Sequence, residues 1–61
     1  LMIYPVHDSH GNRIGTIMPE DSENPEERWI AYALHNQRMA FGSWQAARDW
    51  IERKAADEGA R

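Results

Sequence analysis

The stretch that most limits what this chain can fold into is Trp29 to Trp50, WIAYALHNQRMAFGSWQAARDW. Its first half alternates β-prone residues around a polar centre. Its second half changes to a helical period immediately after Gly42-Ser43. Ser43 is a natural N-cap, and the residues after it are rich in Ala, Arg, Glu and Lys. Trp44, Ala47, Trp50, Ile51 and Ala55 recur at helical spacing and form one apolar stripe. Arg48 with Glu52, and Asp49 with Arg53, are i,i+4 ion pairs suited to an exposed flank. Gly59 is a suitable stop. A helix over 44–58 follows, fed by whatever precedes it.

What precedes it admits two readings. Asn24-Pro25-Glu26-Glu27 has the form of a helix start, with Asn as cap and Pro at the first position. Trp29, Ile30, Ala33, Leu34 and Phe41 would then be a helical stripe. A hairpin over 28–43 is the preferred alternative, with Asn36 and Gln37 as the two central turn residues. In that register Leu34 faces Met39, Tyr32 faces Phe41 and Ile30 faces Ser43 on a large apolar side. Ala33 opposite Ala40, Ala31 opposite Gly42 and His35 opposite Arg38 make the other side small, flat and polar at its tip. Trp29 falls on the side away from Tyr32 and Phe41.

The beginning of the chain reads as another hairpin, over 1–19. Met2 to His7 is apolar and β-prone, and Pro5 confines it to a sheet edge because proline cannot donate to the ladder. Asp8-Ser9-His10-Gly11-Asn12 is a dense turn signal. Arg13 to Met18 is the second strand, stopped by Pro19. Residues 20–27 form an acidic loop. The expected fold is therefore α+β in a single small domain over 1–61: two hairpins giving three to four antiparallel strands, packed against one C-terminal helix.

Size matters to what such a fold can do. A chain of 61 residues buries only about 60% of its unfolded surface. It has no cysteine, so neither disulfides nor thiolate-bound zinc can add stability. Three Trp, two Tyr and one Phe must supply much of the core. No apolar run has the length of a membrane span, and no signal-peptide pattern opens the chain. A cytoplasmic protein is expected, with no membrane partner and Met2 as its natural start.

Net charge is −3, but five of the ten acids, Glu20, Asp21, Glu23, Glu26 and Glu27, fall in one short segment. Outside it seven bases face five acids, a net of +2. The body is near neutral, and the acidic segment reads as a detachable, solvated lobe.

Phe41-Gly42-Ser43-Trp44-Gln45-Ala46-Ala47-Arg48-Asp49-Trp50 has the spacing Phe-x-Ser-x-x-x-Ala-x-x-Trp, with Trp29-x-Ala31 upstream. Over the second half of the chain this resembles the amino-terminal arm-binding domain of tyrosine-family phage integrases. The resemblance implies a three-stranded sheet packed on one carboxy-terminal helix, with the sheet entering the major groove of duplex DNA, and an origin in a phage or mobile element. Phe41, Ser43, Ala47 and Trp50 match the family's structural positions: the strand-ending aromatic, the helix cap, and the Ala and Trp that face the sheet. The family's strands are studded with Lys and Arg, whereas Ala31, Ala33 and Ala40 stand at strand positions here. No catalytic domain follows the helix, so recombinase chemistry is not expected.

Catalysis has little to rest on. There is no Cys nucleophile, no Gly-x-Ser-x-Gly elbow and no phosphate-cradling glycine loop. The paired carboxylates of 20–27 have no pocket to shift their pKa. His7-x-x-His10, with Asp8 between them and His35 distant, is the one group resembling a metal site. A zinc site needs three or four converging ligands, and two exposed turn histidines explain the pattern as well. Neither an enzyme nor a metal or other cofactor is expected.

Two binding functions remain. In the first, the small sheet face binds duplex DNA through Arg28, His35, Asn36, Gln37 and Arg38, with Arg13 nearby. Sheets and ribbons fit the major groove, and Arg reads guanine. In the second, the protein docks onto another protein or onto itself through Trp29 and the acids Glu20, Asp21, Glu23, Glu26 and Glu27.

Overall fold

The computed structural model describes residues 2–59. Four strands, β1 (Tyr4–His7), β2 (Arg13–Pro19), β3 (Trp29–Ala33) and β4 (Gln37–Phe41), precede one helix, α1 (Trp44–Gly59). Each strand pairs antiparallel with the next, so the sheet order is β1-β2-β3-β4 and β1 and β4 are its edges. The fold is α+β, and α1 lies across β2, β3 and β4.

Both readings of the middle segment hold in part. Asn24 does cap a helical turn, its side chain accepting from the Glu26 N–H at 3.0 Å, but the turn is a single 3₁₀ turn over Pro25–Glu27. β3 begins directly after Arg28. At the other cap, Ser43 Oγ accepts from the Ala46 N–H at 3.1 Å and starts α1.

The expected hairpin register is corrected. Trp29 pairs with Phe41, Ile30 with Ala40, Ala31 with Met39, Tyr32 with Arg38 and Ala33 with Gln37. The loop is Leu34-His35-Asn36, and Gln37 belongs to β4. His35 (φ 63°) and Asn36 (φ 62°) both take left-handed backbone, which Asn tolerates and His adopts less readily. The shift is three residues. Because it is odd, it exchanges the β4 face that meets each face of β3.

The exchange decides where the core forms. Ala31, Ala33, Phe41 and Trp29 share the side covered by α1, and Tyr32 points to the open side. Val6, Ile14, Ile17, Ala31, Ala47, Trp50 and Ile51 form the buried cluster, with Ile17, Ala31, Ala47 and Ile51 fully enclosed. Phe41 packs on Trp50 with ring centroids 5.8 Å apart. The helix contributes Trp50 and Ile51 and the β1–β2 hairpin contributes Val6, Ile14 and Ile17, whereas β3 places the small residues Ala31 and Ala33 in this core. The small sheet face read from the sequence as a free binding surface is the seat of α1.

Gly15 shows how closely the layers meet. A Cβ there would lie 2.6 Å from the Tyr32 carbonyl oxygen and 2.7 Å from Ile51 Cγ2. Only glycine fits.

Candidate functional site

The side of the sheet away from α1 has two zones. Pro5, Thr16, Tyr32 and Arg38 align in one row across all four strands. Arg13 donates from Nη2 to Thr16 Oγ1 at 2.6 Å. From the far side, the Arg38 guanidinium stands 5.9 Å from the Tyr32 ring centroid, and its Nε donates to the phenolic oxygen at 3.5 Å. An exposed tyrosine thus has one guanidinium group over its ring and, on the neighbouring strand, a threonine that holds a second.

The second zone is acidic. The neighbouring row runs Met18, Ile30 and Ala40. Ile30 is 4% exposed yet stands apart from the core under α1. What encloses it is the 20–28 loop, which bends over this end of the sheet. Glu20, Asp21, Ser22 and Glu27 line an open depression of about 390 Å³ together with Ile30, Arg38 and Ala40.

The loop is not a detachable lobe. The Glu20 N–H donates to the Arg28 carbonyl at 2.8 Å and closes its base. Arg28 Nε donates to the Ser22 carbonyl at 3.2 Å, and the Asn24 N–H to Ser22 Oγ at 3.1 Å. The Glu27 N–H donates to the Asn24 carbonyl at 2.9 Å. Glu26 turns the other way, its carboxylate oxygens 3.1 Å from where a Cβ on Gly42 would sit, beside Ser43 and Ala46. A carboxylate at the start of α1 is favourably placed against the helix dipole. Glu23 is exposed.

The residues expected to read DNA do not converge. Arg38 stands on the open face. Arg28 is turned into the acidic loop. His35 Nε2 reaches Glu58 Oε1 at 3.0 Å, tying the β3–β4 tip to the end of α1. Asn36 lies in the turn, and Gln37 faces the helix side, where it borders a hollow with Lys54, Asp57 and Glu58.

The protein-docking set is divided as well. Trp29 is half-buried on the helix side against Tyr4, ring centroids 6.2 Å apart. It sits on the same side as Phe41 and behind the acidic zone, so it is not the free anchor expected. Tyr32 and Thr16 are the residues the sequence reading missed. The signal was the alternation that puts Thr16, Tyr32 and Arg38 on one face once β2, β3 and β4 are set in register.

Among the described residues, no three His, Cys, Asp or Glu side chains are grouped to hold a metal ion. No helix among them is long and apolar enough to cross a membrane. Comparison with family models, curated proteins and solved structures gave no significant match.

Proposed function

We propose that this chain is a non-enzymatic protein-binding module that uses the open face of its sheet. One observation carries the reading: the acidic residues Glu20, Asp21 and Glu27 line one depression together with Arg38, next to Thr16 and Tyr32 on the open face. A surface with both signs of charge within one small face suits a protein partner of matching pattern. It suits a polyanion poorly, because every phosphate drawn to Arg38 also approaches the carboxylates beside it. Exposed Tyr and Arg at the centre supply the side chains that most often anchor such contacts. A cytoplasmic setting fits a chain without cysteine.

Duplex DNA is the second reading. It is favoured by Arg38 at Tyr32 and Arg13 at Thr16, on a sheet face narrow enough for a major groove, and by the integrase-like spacing of Phe41, Ser43, Ala47 and Trp50.

An NMR titration of ¹⁵N-labelled protein separates the two, using an arginine-rich extended peptide and, separately, a mixed-sequence duplex at low and then moderate salt. The protein-binding reading expects the peptide to shift amides of 20–28 and of Arg38 to Ala40, and the duplex to leave them still. Duplex-driven shifts at Arg13, Tyr32 and Arg38 that relax as salt rises would put DNA binding in its place. A peptide that moves no amide would remove the acidic zone from the site.

A further inference from the structure

We infer that the partner is a second copy of this chain, joined along the free edge of β4 in an antiparallel, two-fold arrangement centred on Met39. The inference rests on the protein-binding reading above and names its partner.

The two sheet edges differ in kind. β1 carries Pro5 at its centre and a register break between Val6 and His7, both of which discourage a further strand. β4 has neither. Its five residues contain no proline, and Gln37, Arg38 and Met39 are exposed, Met39 to 47%. Among the described residues, three of the five exposed large apolar side chains, Tyr32, Leu34 and Met39, belong to the β3–β4 hairpin. An unprotected edge beside exposed apolar side chains is a template for another strand.

Charge makes a copy of the same chain the fitting strand. With the two-fold axis at Met39, Arg38 lies opposite the partner's Ala40, and Gln37 opposite the partner's Phe41. Directly opposed residues share a sheet face, so Arg38 arrives on the open side of the partner. There Ala40 borders the depression lined by Glu20, Asp21 and Glu27. Each copy offers one arginine and accepts one, which is the self-complementarity an isologous contact requires. The register also matches backbone groups: a residue whose N–H and C=O point outward meets another of the same kind, because Met39 meets Met39. A five-residue edge makes a small interface, so the dimer forms at the weak, concentration-dependent end of protein association.

Sedimentation equilibrium of the ligand-free protein over a concentration series up to about 1 mM tests this, with circular dichroism confirming the fold of every variant. The wild type is expected to pass from monomer to dimer. Arg38→Glu, and separately Glu20→Arg with Glu27→Arg, are each expected to weaken self-association about tenfold or more, since like charges then meet at both ends of the interface. Mixing the two variants restores a dimer. The acid introduced by Arg38→Glu then meets the reversed loop, while the natural Arg38 of the loop variant meets a natural loop. An ion pair within one chain cannot produce that rescue by mixing. A wild type that stays monomeric throughout overturns the inference, as does a dimer indifferent to both variants or a mixture that fails to associate. The peptide titration is read separately: a monomer that still binds the basic peptide would end the self-pairing and leave the protein-binding reading in place.

Discussion

Asp8 is the residue whose ionisation the fold most clearly uses. Its Oδ1 accepts from the backbone N–H groups of Asn12 and His10, both at 2.9 Å, and its other oxygen lies 3.4 Å from the Asn12 side-chain amide. The Asn12 backbone hydrogen bond is the largest influence on its pKa. A desolvation effect opposes it, the His10 and remaining Asn12 hydrogen bonds reinforce it, and the net effect holds the carboxyl below its ordinary value of 3.8. A folded-state pKa below the unfolded one means that the unfolded chain binds the proton first on acidification. The contribution is therefore complete above about pH 4 and disappears as pH falls through the lowered folded value. Asp8→Asn should be less stable than the wild type at neutral pH, and the gap should close in acid. Urea midpoints of both proteins from pH 7 to pH 2 check this, and a gap that is constant with pH would deny the charged turn its role.

At the level of elements, β2 is pressed closely between α1 and β3 at Gly15. Its missing side chain leaves room for Ile51 on one side and for the Tyr32 carbonyl on the other. Ile51 could change rotamer, but the carbonyl belongs to the paired strand and cannot move without disturbing the ladder. Gly15→Ala is expected to destabilise by about 1–3 kcal/mol. Gly42→Ala, whose new methyl would first meet the movable Glu26 side chain at 3.1 Å, should cost much less. Parallel urea denaturation of the two variants checks the contrast, and equal losses would show that the helix can settle elsewhere on the sheet. In the β3–β4 turn, left-handed His35 lies 3.0 Å from Glu58 at the far end of α1, an exposed contact between hairpin tip and helix end that adds little to stability.

For the whole molecule, stability rests on very few side chains. Ile17 and Ile51 are the only large residues fully buried among those described. Small domains have total stabilities near the lower end of about 5–15 kcal/mol, and truncating a buried isoleucine costs about 2–5 kcal/mol. Ile51→Ala should leave much of the population unfolded at 25 °C, visible as lost far-UV circular dichroism and collapsed amide dispersion. A cooperative thermal transition at the wild-type temperature would mean that the remaining aromatic packing of Trp50 on Phe41 suffices. The same thin core explains the arrangement of the acidic loop. Covering Ile30 with 20–28 buries apolar surface that α1 cannot reach, and it also sets carboxylates beside Arg38.

Local preferences written in the chain were enough to settle the first hairpin and the C-terminal helix, and they left 25–41 open between a helix and a hairpin. The Asp8–Asn12 turn, the Asn24 and Ser43 caps, the edge position of Pro5 and the helix from Trp44 all depend on residues near one another in the chain. The register and the faces were settled only by contact between distant segments. A two-residue turn at Asn36-Gln37 and a three-residue loop at Leu34-His35-Asn36 are both open to this sequence, because Asn36 tolerates left-handed backbone in either. Packing chooses between them: Trp50 and Ile51 of the helix and Ile14 and Ile17 of the first hairpin fill the core, so β3 gives it the small Ala31 and Ala33, and Phe41 meets Trp50. That odd three-residue shift in register turned the small face inward, placed Tyr32 and Arg38 outward, and took Trp29 from the free surface. Whether the acidic loop stood off or folded over Ile30 was likewise set by uncovered apolar area on the open face, a quantity that exists only once the strands are aligned.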